Sequence, residues 1–100
     1  MHFVLFYDYV DDYMEKRVPL RSGHLKQAWE SHARGEFQLG GVLDDPVDGA
    51  MLVFKAESKK VVEDFIATDP YVTQGLVKHW RIRPWLTVAG TDASNPIRPE

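Results

Sequence analysis

Residues 2–9, His-Phe-Val-Leu-Phe-Tyr-Asp-Tyr, open the chain with aromatic and branched side chains and predict a strand. Phe3, Leu5 and Tyr7 share one face and Val4 and Phe6 the other, so both faces are expected to be covered. Asp11 to Lys16 reads as a polar connection. The period then changes. From about Pro19 a helix is predicted, because proline suits a first turn whose amide hydrogen has no helical partner. Leu25, Ala28, Trp29 and His32 recur at helical spacing and form its expected buried stripe. Arg21, His24 and Ala28 run along a neighbouring line, and Gly35 provides a C-cap that tolerates positive φ.

Phe37 to Val42 and Ala50 to Ala56 are the next two strands, joined by the turn-rich segment 43–49. Gly40-Gly41 at the end of the first marks a bulge, a bend or backbone lying against a ligand. Ser58 is placed to cap a second helix whose stripe is Val61, Val62, Phe65 and Ile66. Asp69-Pro70 closes that helix and suits the cap and first position of a further short turn. Leu76 to Trp85 is the last strand, with Trp80 and Ile82 on one face and His79, Arg81 and Arg83 on the other.

The order β-α-β-β-α-β is the ferredoxin-like arrangement: an α+β fold whose antiparallel sheet is covered by helices on one side. Residues 1–89 form the expected domain, and 90–100, rich in small and polar residues with two prolines, a flexible C-terminal tail. The uncovered sheet face still has apolar candidates in Val4, Phe6, Tyr7, Phe54 and Trp80. A second copy laid sheet to sheet would cover them and give a barrel-like homodimer, with a pocket between sheet and helices.

Composition narrows the function. One hundred residues make one domain, small enough for association to help its stability. A net charge of -3, with no dense arginine run, argues against a nucleic-acid surface. No apolar stretch is long enough to span a bilayer, and the opening apolar run is ended early by Asp8, Asp11 and Asp12, unlike a signal peptide. The absence of cysteine removes thiolate chemistry and fits a cytoplasmic setting. No metal-binding, phosphate-loop or serine-elbow motif is present, so no cofactor and no metal are expected.

The chemistry that remains lies in two segments, Arg21-Ser-Gly-His24-Leu25 and Asp69-Pro-Tyr71. An imidazole exchanges a proton near neutral pH, and a carboxylate on one ring nitrogen fixes its tautomer. Both segments belong to helices on the same side of the sheet, which lets His24 and Asp69 meet. Arg21, three residues before His24, is placed to hold a substrate anion. Tyr7 is a candidate to reach the same pocket with its hydroxyl. Each has a plainer reading: core packing for His24 and Tyr7, a helix cap for Asp69, and a surface ion pair with Glu15 or Asp12 for Arg21.

The strand Phe3-Val-Leu-Phe-Tyr7, Arg21-Ser-Gly-His24-Leu25, Gly35, Gly40-Gly41, Asp69-Pro-Tyr-Val72 and Arg83-Pro-Trp85 together resemble the YciI-like (YCII-related) family of the dimeric α/β-barrel superfamily. The resemblance implies a sheet-paired homodimer and an active-site pair corresponding to His24 and Asp69. One branch of that family removes chloride from a chlorinated hydroxyhydroquinone. Segment 43–49 is short beside many members, and the tail beyond Gly90 lies outside the resemblance. The resulting expectation is a small cofactor-independent enzyme using a His-Asp pair for proton transfer, of lyase, isomerase or dehalogenase type, on a small anionic or aromatic molecule. The alternative is a non-catalytic small-molecule-binding or protein-association module, in which the same pair is structural. Haem chemistry through His24 or His79 is a further possibility that no local feature demands.

Overall fold

A computed structural model describes residues 1–99. The elements are β1 (His2–Tyr9), α1 (Tyr13–Lys16), α2 (Arg21–Ala33), β2 (Phe37–Leu43), β3 (Gly49–Lys55), α3 (Lys60–Thr68), α4 (Pro70–Thr73) and β4 (Val77–Trp85). The expected β-α-β-β-α-β order holds, with one-turn helices added before α2 and after α3. The four strands form a sheet in the order β2-β3-β1-β4, and every neighbouring pair is antiparallel.

The register decides what each face carries. Phe3, Leu5 and Tyr7 of β1 stand opposite Phe54, Leu52 and Ala50 of β3 and opposite Pro84, Ile82 and Trp80 of β4. Directly opposed residues share a face, and this is the helix-covered one: its members pack with Val62, Phe65 and Ile66 of α3 and with Ala28, Tyr71 and Leu76. Val4 and Phe6, opposite Val53 and Met51, belong to the open face, as do Arg81 and Arg83. The expectation that Tyr7, Phe54 and Trp80 line the open face is therefore corrected, since the two-residue period puts them opposite Val4 and Phe6.

Two further expectations change. Asp11 to Lys16 is not merely a polar connection. Its last four residues, Tyr13–Lys16, form α1, and Tyr13 is buried. The stripe Leu25, Ala28, Trp29 and His32 is not core either: Ala28 is buried, but Leu25 is 42% and Trp29 69% exposed. On the core side of α2, Ser31 is buried and accepts a hydrogen bond from the Phe37 amide.

Gly49 sits where β3 passes close to β1. A Cβ there would collide with the backbone carbonyl oxygen of Tyr7, an atom that cannot swing aside. Gly49→Ala is expected to lower stability by about 1–3 kcal/mol, as overpacking does, which urea denaturation would read directly. Beyond β4, residues 87–97 turn back on themselves through bonds from the Asn95 amide to the Thr87 carbonyl and from the Ile97 amide to the Val88 carbonyl. Nδ1 of His2 lies 2.8 Å from the hydroxyl oxygens of both Thr87 and Ser94.

Candidate functional site

Asp69 is the hinge between α3 and α4. It ends α3 with extended backbone and caps α4, its side chain accepting from the Tyr71 amide, with Pro70 in the first position. The expected cap is thus present, yet it uses only part of the carboxylate. Oδ1 accepts from the Tyr71 N–H at 3.0 Å and lies 2.8 Å from Nδ1 of His24. Oδ2 accepts from the Tyr7 hydroxyl at 2.8 Å. The side chain is 0% exposed, so three donors from β1, α2 and α4 converge on one buried carboxylate.

Because an ionised carboxylate only accepts, its contact with His24 makes Nδ1 the protonated nitrogen and leaves the lone pair of neutral imidazole on Nε2. Among the described residues no fully buried side-chain nitrogen or oxygen lacks a hydrogen-bond partner. Nε2 has no such partner there, so it is open to solvent, and His24 lines a cleft of about 510 Å³ between α2 and the β2–β3 edge. One face of the imidazole is held by Tyr71, with ring centroids 3.9 Å apart and planes 6° from parallel. Phe65 lies nearly perpendicular to the imidazole, with ring centroids 6.5 Å apart. The start of α2 packs close to α4, where a Cβ on Gly23 would meet the Pro70 ring at ordinary van der Waals distance.

Tyr7 does not reach the cleft. It was expected to meet substrate, but it sits behind Asp69 and is buried. Burial first, then the Asp69 charge and the hydrogen bond to it, push its phenol far above the ordinary range. It therefore stays a donor that holds the carboxylate in place. Arg21 does line the cleft, and among the described residues it has no ion-pair partner. The plainer alternative, an ion pair with Glu15 or Asp12, is not formed; Asp12 pairs with Lys16 instead.

Several wall residues were not singled out from the sequence. Tyr9 and Tyr13 stack at 3.8 Å, and both present an edge-on arrangement to Tyr71. Burial, then the neighbouring Tyr13, raise the phenol pKa values of Tyr9 and Tyr71, so both remain neutral. The raised value of Tyr71 is partly opposed by Arg17 and Arg21, which places both cations close to it. The sequence carried a signal for this wall. Tyr13, Arg17, Arg21, His24 and Ala28 recur every three or four residues across α1, the turn after it and α2, and all five border the cleft. The line was hidden because α1 looked like a connection.

Gly40 and Gly41 form part of the opposite wall. A Cβ on Gly40 would lie 2.7 Å from the Phe37 ring, so the glycine gives that ring its place over β2. Among the described residues no group of three or more His, Asp or Glu side chains is arranged to hold a metal, and no helix is long and apolar enough to cross a membrane.

Comparison with known proteins agrees with this architecture. Residues 1–86 match the YCII-related domain. Protein YciI of Escherichia coli O6:H1 is 26% identical over 97 residues, covering 88% of this chain and 99% of the relative, and protein YciI of Shigella flexneri matches equally. Among solved structures, 5-chloro-2-hydroxyhydroquinone dehydrochlorinase (TftG) from Burkholderia phenoliruptrix AC1100, in complex with 2,5-dihydroxybenzoquinone, superposes with a TM-score of 0.75. Its sequence is 23% identical, and the match covers 87% of this chain and 95% of that one. Protein Atu4242 from Agrobacterium tumefaciens shares the fold at a TM-score of 0.59 and 11% identity, with 93% and 96% covered.

Proposed function

The chain belongs to the YCII-related domain family, and from that premise we propose that it is a small proton-transfer enzyme in which His24 is the base and Asp69 its orienting partner. The observation that carries this reading is the 2.8 Å contact of His24 Nδ1 with a fully buried carboxylate, in a histidine that lines the cleft and whose Nε2 has no hydrogen-bond partner among the described residues. Asp69 fixes the tautomer and stabilises the imidazolium that forms when Nε2 takes a proton. Tyr7 and the Tyr71 amide hold Asp69 in that orientation. They are positioning groups, since neither the Tyr7 hydroxyl nor the amide is offered to substrate. Arg21 stabilises negative charge that develops on a substrate oxygen.

A lyase-type elimination of HX suits this equipment. Nε2 removes a proton from an O–H or C–H, the freed electron pair enters the substrate as a new π bond, and X leaves with its bonding pair. His24 then releases its proton to water, so the net products are the unsaturated compound and HX. No electron acceptor is required. The dehydrochlorinase neighbour supports this class and directs attention to hydroxylated, halogenated rings. We also propose that a second copy covers the open sheet face, where the half-buried Phe6, Met51 and Val53 lie beside the buried Val4.

The test is halide release and product formation from a panel of halogenated hydroxyaromatic compounds. His24→Ala is expected to abolish turnover, a loss on the order of 10²–10⁴-fold for a missing general base, with unchanged circular dichroism. Turnover undiminished in that variant refutes the mechanism. A chain that binds panel members without converting any of them favours the non-catalytic binding module instead.

A further inference from the structure

Tyr9, Tyr13 and Tyr71 form a cluster that the proton-transfer reading leaves unused. All three are buried, and all three border the cleft that holds His24. Tyr9 and Tyr13 stack at 3.8 Å, and Tyr71 stands nearly perpendicular to both, at 6.1 and 5.9 Å. Tyr71 in turn stacks on the His24 imidazole, and the Arg17 guanidinium lies 5.5 Å from the centre of the Tyr13 ring. The ring faces are therefore occupied. What these residues can offer a ligand is a hydroxyl group.

The hydroxyl hydrogens can be counted. Among the described residues the one tyrosine hydroxyl that reaches a carboxylate or a carbonyl is that of Tyr7. The other three are linked to one another: Tyr9 and Tyr71 each share a hydrogen bond with Tyr13. Three O–H groups with two bonds among them leave one hydrogen over. After burial and the proximity of Tyr13 itself, those bonds add to the raised pKa values of Tyr9 and Tyr71. A hydrogen bond acts in that direction when the phenol is the donor, because it then holds the neutral form. Tyr9 and Tyr71 thus donate, the Tyr13 oxygen accepts from both, and the hydrogen left over is that of Tyr13.

Accepting two hydrogen bonds polarises the Tyr13 O–H and strengthens it as a donor. Its position is set by the packed rings before a ligand arrives, so it needs no reorganisation when charge develops in front of it. The acceptor that such a donor suits best is an oxygen gaining negative charge.

We infer that Tyr13 is a further catalytic residue, whose O–H donates to the substrate oxygen that becomes negative as Nε2 of His24 takes a proton. Tyr9 and Tyr71 are the positioning residues that aim it. The Tyr13 O–H bond is not broken: the proton goes to His24, and the charge stays on the substrate oxygen until the leaving group departs. The ligand class is a small phenolate or enolate. The inference rests on the proton-transfer reading for the origin of the charge.

The test is a titration of the full chain, at mildly alkaline pH, with 4-nitrophenolate and with 4-nitroanisole, which has a similar shape but no anionic oxygen. The phenolate is expected to bind saturably, with its visible band displaced to shorter wavelength by the donated hydrogen bond. Tyr13→Phe keeps every ring contact and removes only the hydroxyl. It should weaken the phenolate about tenfold, reverse most of the band displacement and leave 4-nitroanisole unchanged. Tyr9→Phe removes a supporting bond and should weaken the phenolate by a smaller factor. In turnover, Tyr13→Phe should lower kcat on the order of 10²-fold, the scale of one lost oxyanion donor. No saturable phenolate binding, phenolate binding undiminished in Tyr13→Phe, equal weakening of both probes, or a Tyr9→Phe loss as large as that of Tyr13→Phe would each overturn the inference. The two readings fail separately. Tyr13-dependent phenolate binding by a chain with no His24-dependent turnover would remove the proton-transfer mechanism and leave Tyr13 as a binding donor. His24-dependent turnover undiminished in Tyr13→Phe would remove the role of Tyr13 alone.

Discussion

Asp69→Ala is expected to cost roughly 3–5 kcal/mol, the range for removing one member of a buried charged network. Against a total stability of about 5–15 kcal/mol for a domain of this kind, that is a third or more of the margin across most of the range, and at its lower end enough to unfold much of the population. The cost arises from what is left behind. The Tyr7 hydroxyl, the Tyr71 N–H and the His24 Nδ1–H all lose their acceptor in a place water does not reach. Asp69→Asn separates structure from chemistry. Its amide oxygen can accept from Tyr71 and His24 as Oδ1 now does, and the Tyr7 hydroxyl can rotate to accept from the amide nitrogen. A smaller loss follows, about 1–3 kcal/mol, but the imidazolium no longer has its counter-charge. Turnover should therefore fall on the order of 10²–10⁴-fold in a protein that still folds. Urea denaturation gives the first pair of numbers, and initial rates give the last. An Asp69→Ala midpoint equal to wild type would show that the carboxylate is not the structural centre of the site. Wild-type rates in Asp69→Asn would show that its charge does no catalytic work.

The sequence made the fold legible because its two periodicities are clean where the core needs them. Alternation in β1 separates its two faces, and the Val61–Val62–Phe65–Ile66 stripe of α3 gives that helix one apolar side to bury. Asp69-Pro70 was legible for a different reason: a carboxylate before a proline has a strong local preference for capping. That preference also placed the side chain where His24 could meet it.

Apolar spacing marks a surface that avoids water without saying what covers it. The stripe Leu25, Ala28, Trp29 and His32 has helical spacing because it is the wall of a cleft, and all four residues border it. The β1 faces were separated correctly, but strand parity alone does not reveal which of two apolar faces receives the helices. The α2 line was recognised from Arg21 onward. Its continuation to Arg17 and Tyr13 was missed, because a four-residue helix carries too few positions to display a period.

Phe54→Ala is the second large effect, expected at roughly 3–5 kcal/mol, the range for a fully buried phenylalanine whose space does not refill. Phe54 is fully buried. Its ring meets Phe37 at 5.6 Å and Phe65 at 5.1 Å, and those two rings stack on each other at 6.4 Å. The three phenylalanines tie β2, β3 and α3 together. The substitution should also reach the site, because Phe37 forms part of the cleft wall and Phe65 lies against the edge of His24. A loss of stability alone lowers the folded fraction and leaves the turnover per folded molecule unchanged. A loosened wall raises the KM of the folded enzyme as well, while the His24–Asp69 pair, held from β1, α2 and α4, keeps kcat within a few-fold of wild type. Chemical denaturation measures the first effect, and kinetics at a temperature where the variant remains folded measure the second. An unchanged denaturation midpoint would mean that the cavity refills. An unchanged KM would mean that β2 is held in place without the phenylalanine cluster, and that the cleft's shape is set by α2 alone.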